Sequence, residues 1–149
     1  MSTAMATEAE PRPATTSTTL GAFSGIVVHL ALRLAGFNRV ARALGKLTEQ
    51  TKRQASHREV LKTMRAVEAG AAWLPFRVAC LERTFATALL LVIRRKGVGW
   101  CVGFRTPPFT MHAWLTDDQG QAIGEPESTA AYQPLIVLIA TIRSIGETP

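Results

Sequence analysis

CLERTFATALLLVIRRKG at residues 80–97, then VGWCVGFRTPPFTMHAWLT to residue 116 and DDQGQAIGEPE to residue 127, is the stretch that decides the fold. The first segment reads as a helix of about residues 78–96, with Cys80 in its first turn. It is apolar nearly all round between Phe85 and Ile93, the pattern of a central helix buried on several sides. Arg94, Arg95 and Lys96 suit the negative end of its dipole, and Gly97 is the expected terminator. Residues 98–104 and 109–116 predict two short strands around a Pro-Pro turn, with His112 and Trp114 on one face of the second. DDQG predicts the next turn, and a third short strand would carry Glu125 back alongside His112.

Working outward, SHREVLKTMRAVEAGAAW opens on Ser56 and Glu59, spaced as a capping box. It predicts a helix to about Trp73 with Val60, Met64, Val67, Ala71 and Leu74 as a core-facing stripe. Pro75 separates it from the central helix. Upstream, LTEQTKRQ reads as a loop or exposed turn, and residues 38–44 as a short amphipathic helix ending at Gly45. Residues 20–36 predict a helix capped by Thr19, with Phe23, Ile26, Val27, Leu30 and Leu34 on one face. Because His29 and Arg33 interrupt the apolar run 20–37, it reads as a buried or interfacial helix and not as a transmembrane span. At the C-terminal end, LIVLIATI after Tyr132-Gln-Pro predicts a buried strand.

The expectation is an α+β fold in which N-terminal helices and a central helix pack on a small antiparallel sheet. Residues 1–19, rich in Thr, Ala and Pro, read as a disordered tail. Residues 20–149 read as one domain, with a helical part at 20–74 and the central helix plus sheet at 75–149.

Of 149 residues, 47% are hydrophobic and 19% charged, which excludes a disordered chain. The formal charge of +6 is uneven: residues 33–105 hold 15 Lys/Arg against 4 Asp/Glu, whereas residues 106–149 hold 1 against 5. Such a basic body can attract an acidic peptide, anionic lipid or nucleic acid, but no nucleic-acid-binding motif accompanies it. Residues 1–19 have no secretory pattern, so a reducing cytoplasm is the expected location, one that keeps a thiol free. Two distant cysteines and three scattered histidines form no metal-ligand pattern. No phosphate loop, dinucleotide fingerprint or serine-nucleophile elbow is present, so no cofactor is expected.

The candidate chemistry lies in Cys80, His112 and Glu125. A thiol at a helix N-terminus is favoured as the thiolate by orphan N–H groups. An imidazole on a neighbouring strand can shuttle its proton, and a carboxylate can orient that imidazole. Asp117 and Asp118 compete with Glu125 for the third role. Cys101, mid-strand between Trp100 and Val102, reads as buried and inert. His29 reads as a helix-face residue and His57 as an exposed first-turn residue.

C-L-E-R at Cys80, G-F-R-x-x-P-F before His112, H-A-W at His112, G-E-P at Glu125 and Y-x-P-L from Tyr132 together resemble the stand-alone leader peptidase of lasso-peptide biosynthesis. That protein is the protease half of a split maturation protein with a transglutaminase-like, papain-related core. The resemblance spans about residues 66–135. It implies a cysteine protease that removes the leader from a ribosomal precursor, with Cys80 as nucleophile, His112 as base then acid, and Glu125 as orienter. It further implies three partners: the precursor peptide, a small leader-binding recognition protein, and a separate ATP-using cyclase that closes the macrolactam. Papain-like enzymes commonly draw an oxyanion donor from an upstream Gln, yet no Gln lies between Ala55 and Ala79. The Cys80 backbone N–H supplies one donor. Two other readings fit the same residues: a non-catalytic peptide-binding module of this fold, or a basic peripheral membrane or nucleic-acid binder.

Overall fold

The computed structural model describes residues 15–138. Four helices precede and flank the sheet: α1 (Thr15–Ala35), α2 (Phe37–Glu49), α3 (His57–Ala71) and α4 (Cys80–Ile93). Strands β1 (Arg53–Gln54) and β2 (Lys96–Gly97) form a parallel pair. Strands β3 (Gly99–Arg105), β4 (Thr110–Thr116) and β5 (Gln133–Leu138) form an antiparallel sheet in the order β4-β3-β5. The architecture is the α+β one expected.

Phe85 on α4 sits at the centre of the core, 4.9 Å from the Trp100 ring and 5.9 Å from that of Phe37. Val60, Val67, Leu91, Val98, Val102, Ala113, Leu115 and Ile123 belong to the same cluster. The α3 capping box forms as read, with Glu59 N–H donating to Ser56 Oγ at 3.2 Å and Ser56 N–H to Glu59 Oε2 at 2.9 Å. Glu59 also accepts from Arg53 at 2.7 Å and Lys96 at 2.5 Å, tying the β1–β2 pair to the start of α3. The Arg53 guanidinium first, then Lys96 and the Ser56 N–H, hold the Glu59 carboxyl well below the usual carboxylate range.

The structure corrects several boundaries. Helix α1 begins at Thr15, so residues 15–19 of the expected tail are helical, and the rest of that tail lies outside the described residues. The larger correction concerns which face of α1 is inside. Thr18, Gly21, Ser24, Gly25 and Val28 are buried, whereas Phe23 is 65% exposed, Leu30 51% and Leu34 85%. Small residues win the inner face because α1 and α3 touch backbone to backbone. A Cβ on Gly21 would lie 2.1 Å from the Ala66 carbonyl oxygen, and one on Gly70 would lie 2.2 Å from the Ala22 nitrogen.

Helix α2 runs through Gly45 to Glu49, and within it Thr48 Oγ1 donates to the Leu44 carbonyl at 2.8 Å. Helix α4 ends one turn before Gly97. Arg95, at φ 60°, reverses the chain, and Gly97 belongs to β2. No third strand carries Glu125. Pairing stops at a single bridge from Thr116 to Ala122. Finally, β5 is an edge strand with Leu135, Ile136 and Val137 exposed, contrary to the buried strand expected; residues 139–142 of that prediction lie outside the described residues.

Candidate active site

The chain between α3 and α4 breaks at Pro75, and extended Ala79 directs it into α4, whose first residue is Cys80. At a helix start the N–H groups lack intrahelical acceptors, so the Cys80 N–H is free to meet a developing oxyanion. Glu82 in the same turn accepts the Ala79 N–H at 2.7 Å. Its other oxygen meets His29 Nδ1 at 2.5 Å, and the His29 ring stacks on Phe76 at 4.2 Å. The first turn of α4 is thereby fastened to α1. His29 is thus more than a helix-face residue, a role invisible in sequence because Glu82 lies 53 positions away.

Strand β4 pairs His112 opposite Gly103. A Cβ at Gly103 would stand 2.7 Å from the Trp114 ring, so glycine lets that indole lie across β3 and stack on His112 with centroids 5.8 Å apart. Tyr132 flanks His112 at 5.4 Å, and the Arg105 guanidinium sits 5.0 Å over the Tyr132 ring. The Trp114 and Tyr132 rings are themselves 6.3 Å apart, so the imidazole belongs to a three-ring cluster that packs one side of it.

Beyond the Thr116–Ala122 bridge, the Ile123 N–H donates to the Leu115 carbonyl at 2.9 Å. Gly124 then turns at φ 67°, a conformation that favours glycine, and presents Glu125. Glu125 Oε2 lies 2.7 Å from His112 Nε2 and accepts a second hydrogen bond from Thr129 Oγ1 at 3.2 Å. An ionised carboxylate only accepts, so Nε2 carries a proton and the lone pair of a neutral ring falls on Nδ1. Of the competing acids, Asp117 is occupied in the turn, its Oδ1 accepting the N–H groups of Gln119 at 2.9 Å and Gln121 at 2.8 Å. Asp118 is exposed at the turn tip.

Cys80, His112 and Glu125 line one cavity of about 380 Å³, together with Met64, Arg83, Thr84, Thr129 and Tyr132. Cys80 is partly exposed, whereas Cys101 is buried and its thiol is pushed up by burial. Arg83 on the cavity wall lies 3.7 Å from Glu68, both well exposed, so that pair adds little stability. Sequence alone points to no role for Thr129, Tyr132 and Arg105. A hydroxyl four residues after the acid and aromatic residues in the flanking motifs are their only local signals. Among the described residues no group of three or more His, Cys, Asp or Glu side chains is placed to hold a metal ion.

A thiol opens the central helix, an imidazole stands on the adjoining strand, and an acid is bonded to that imidazole, all three lining one cavity. The Transglutaminase-like superfamily profile matches residues 24–137, most of the chain. The chain belongs to the transglutaminase-like superfamily, which includes cysteine peptidases. No curated protein and no solved structure matches it.

Proposed function

We propose that the chain is a cysteine peptidase that removes the leader from a ribosomally made lasso precursor before a separate cyclase forms the macrolactam. The observation that carries the peptidase reading is the convergence of Cys80, His112 and Glu125 on one cavity, with His112 bonded to Glu125 at 2.7 Å. The lasso assignment rests on the sequence motifs around these residues.

In this reading His112 takes the Cys80 proton, and the thiolate attacks the carbonyl carbon of the leader–core bond. The resulting oxyanion meets the Cys80 N–H. Collapse breaks the C–N bond; the imidazolium gives its proton to the departing amine, and the core leaves with a free N-terminus. The leader remains as a thioester on Sγ. Water, deprotonated by His112, attacks that thioester and releases the leader as a carboxylate with the thiol restored. Glu125 keeps the imidazole oriented and stabilises its charged form. The freed amine is the group the cyclase joins to a side-chain carboxylate.

The partners in this proposal are the precursor, the leader-binding protein and the cyclase, all in the cytoplasm. A cavity this small buries little peptide, so selectivity for one bond comes from a partner that raises the local concentration of precursor. The test is a time course of precursor cleavage, read by mass, with and without the leader-binding protein. The proposal expects cleavage at the leader–core junction and at least about a tenfold faster rate with the partner present. Equal rates would remove the partner from the scheme, and no cleavage in either condition would remove the lasso assignment.

A further inference from the structure

The longest helix of the described chain turns its large apolar side chains outward. Leu20, Phe23, Ile26, Val27, Leu30 and Leu34 form a continuous exposed ridge on α1, about 21 Å from end to end. Beside it runs a groove of about 360 Å³ between α1 and α2, lined by Val27, Ala31, Ala43, Leu47 and Leu89 with Arg39 among its walls. Exposed basic side chains accompany this surface: Arg33 in the last turn of α1, and Arg39, Arg42 and Lys46 on α2. Residues 15–50 hold these four cations against the single acid Glu49. Among the described residues none of the four meets a carboxylate at ion-pair distance. The charge therefore remains available to a ligand.

We propose that this face, the α1 ridge with its adjoining groove and basic flank, seats the protein on an anionic lipid surface. An apolar ridge accompanied by cations that meet no carboxylate among the described residues matches an acyl layer below a plane of anionic headgroups. By length and composition α1 could also cross a bilayer. Its inner face argues against spanning: the close approaches of Gly21 and Gly70 fix α1 along α3, and His29 fixes it to Glu82. A second copy is a poorer occupant, because twofold pairing of the ridge would bring the two basic flanks together. The inference is independent of the peptidase reading and adds a location to the protein, the surface of a membrane.

The experiment is co-sedimentation of the full chain with vesicles of phosphatidylcholine alone and of phosphatidylcholine with about one quarter phosphatidylglycerol. The chain is expected to pellet with the anionic vesicles and to be released as salt rises from about 0.1 M to about 0.5 M. Phe23→Ser with Leu30→Ser should weaken binding by about tenfold or more, and Arg39→Glu with Arg42→Glu by a similar factor. Arg58→Glu with Lys62→Glu, equal in charge change but on α3, should bind like wild type. All changed side chains are exposed, and circular dichroism melts check that each variant folds. Failure to pellet with anionic vesicles would overturn the proposal, as would binding that the Phe23/Leu30 variant retains. A dimer that the same variant dissociates, with no vesicle binding, would instead give the face to a second copy.

Discussion

Replacing Glu125 by Gln tests the orienting role with almost no change in shape. The carboxylate lies 2.7 Å from His112 Nε2, and its side chain is only 14% exposed, so water cannot readily take its place. A hydrogen bond to a charged group contributes about 1.5–3 kcal/mol against about 0.5–1.5 kcal/mol for a neutral one, so the lost charge alone costs about 1–2 kcal/mol. That is about five- to thirtyfold in rate. A second loss adds to it. The amide NH₂ can donate to Nε2, which moves the ring proton to Nδ1 and spoils the base; triad acid-to-amide changes reach about 10⁴-fold in total. Glu125→Gln should therefore lower the cleavage rate by about 10²-fold or more, with the circular dichroism spectrum retained and the melting temperature lowered by no more than several degrees. Asp117→Asn keeps the Oδ1 acceptor for the Gln119 and Gln121 N–H groups and should cleave like wild type. A Glu125→Gln rate within about threefold of wild type would refute the orienting role, as would a larger loss in Asp117→Asn.

Three further outcomes follow from the same contacts. Thr129→Val removes the second hydrogen bond to Glu125 Oε2 and should slow cleavage by about tenfold, less than the loss of the acid itself. Gly21→Ala forces a Cβ into the Ala66 backbone; overpacking of this kind costs about 1–3 kcal/mol, so the melting temperature should fall by several degrees, whereas an unchanged melt would mean α1 is not seated against α3 as described. Glu59, with its folded-state carboxyl held low by Arg53 and Lys96, contributes stability that is present above the ordinary carboxyl value of about 4.3 and is lost as pH falls toward its lower folded value. Thermal melts should accordingly show Glu59→Gln less stable than wild type at neutral pH, with the gap narrowing below about pH 4.

The candidate site was more legible than the frame around it, because its signals are local. Cys80 announces itself by a helix start after Pro75, and His112 by alternation with Trp114. Strand return predicts Glu125 beside His112, but pairing ends at Ala122, and the positive-φ turn at Gly124 is what brings the acid there. The side of α1 that is buried could not be read, since a helical stripe of Phe, Ile and Leu ordinarily marks the core. Here the inner face is decided by a backbone contact between Gly21 and Ala66, 45 positions apart (66 − 21). The His29–Glu82 link and the exposure of β5 are likewise products of tertiary placement, with no periodic signature.

The most direct measurement is the mass of the products formed from a lasso precursor, with its leader-binding protein, by wild type, Cys80→Ala and Cys101→Ala. Wild type and Cys101→Ala are expected to release a leader and a core whose masses sum to the precursor plus one water. Cys80→Ala, folded by circular dichroism, should lose at least about 10³-fold in rate. Cleavage that persists in Cys80→Ala, or an equal loss in Cys101→Ala, would contradict the role of Cys80 as nucleophile.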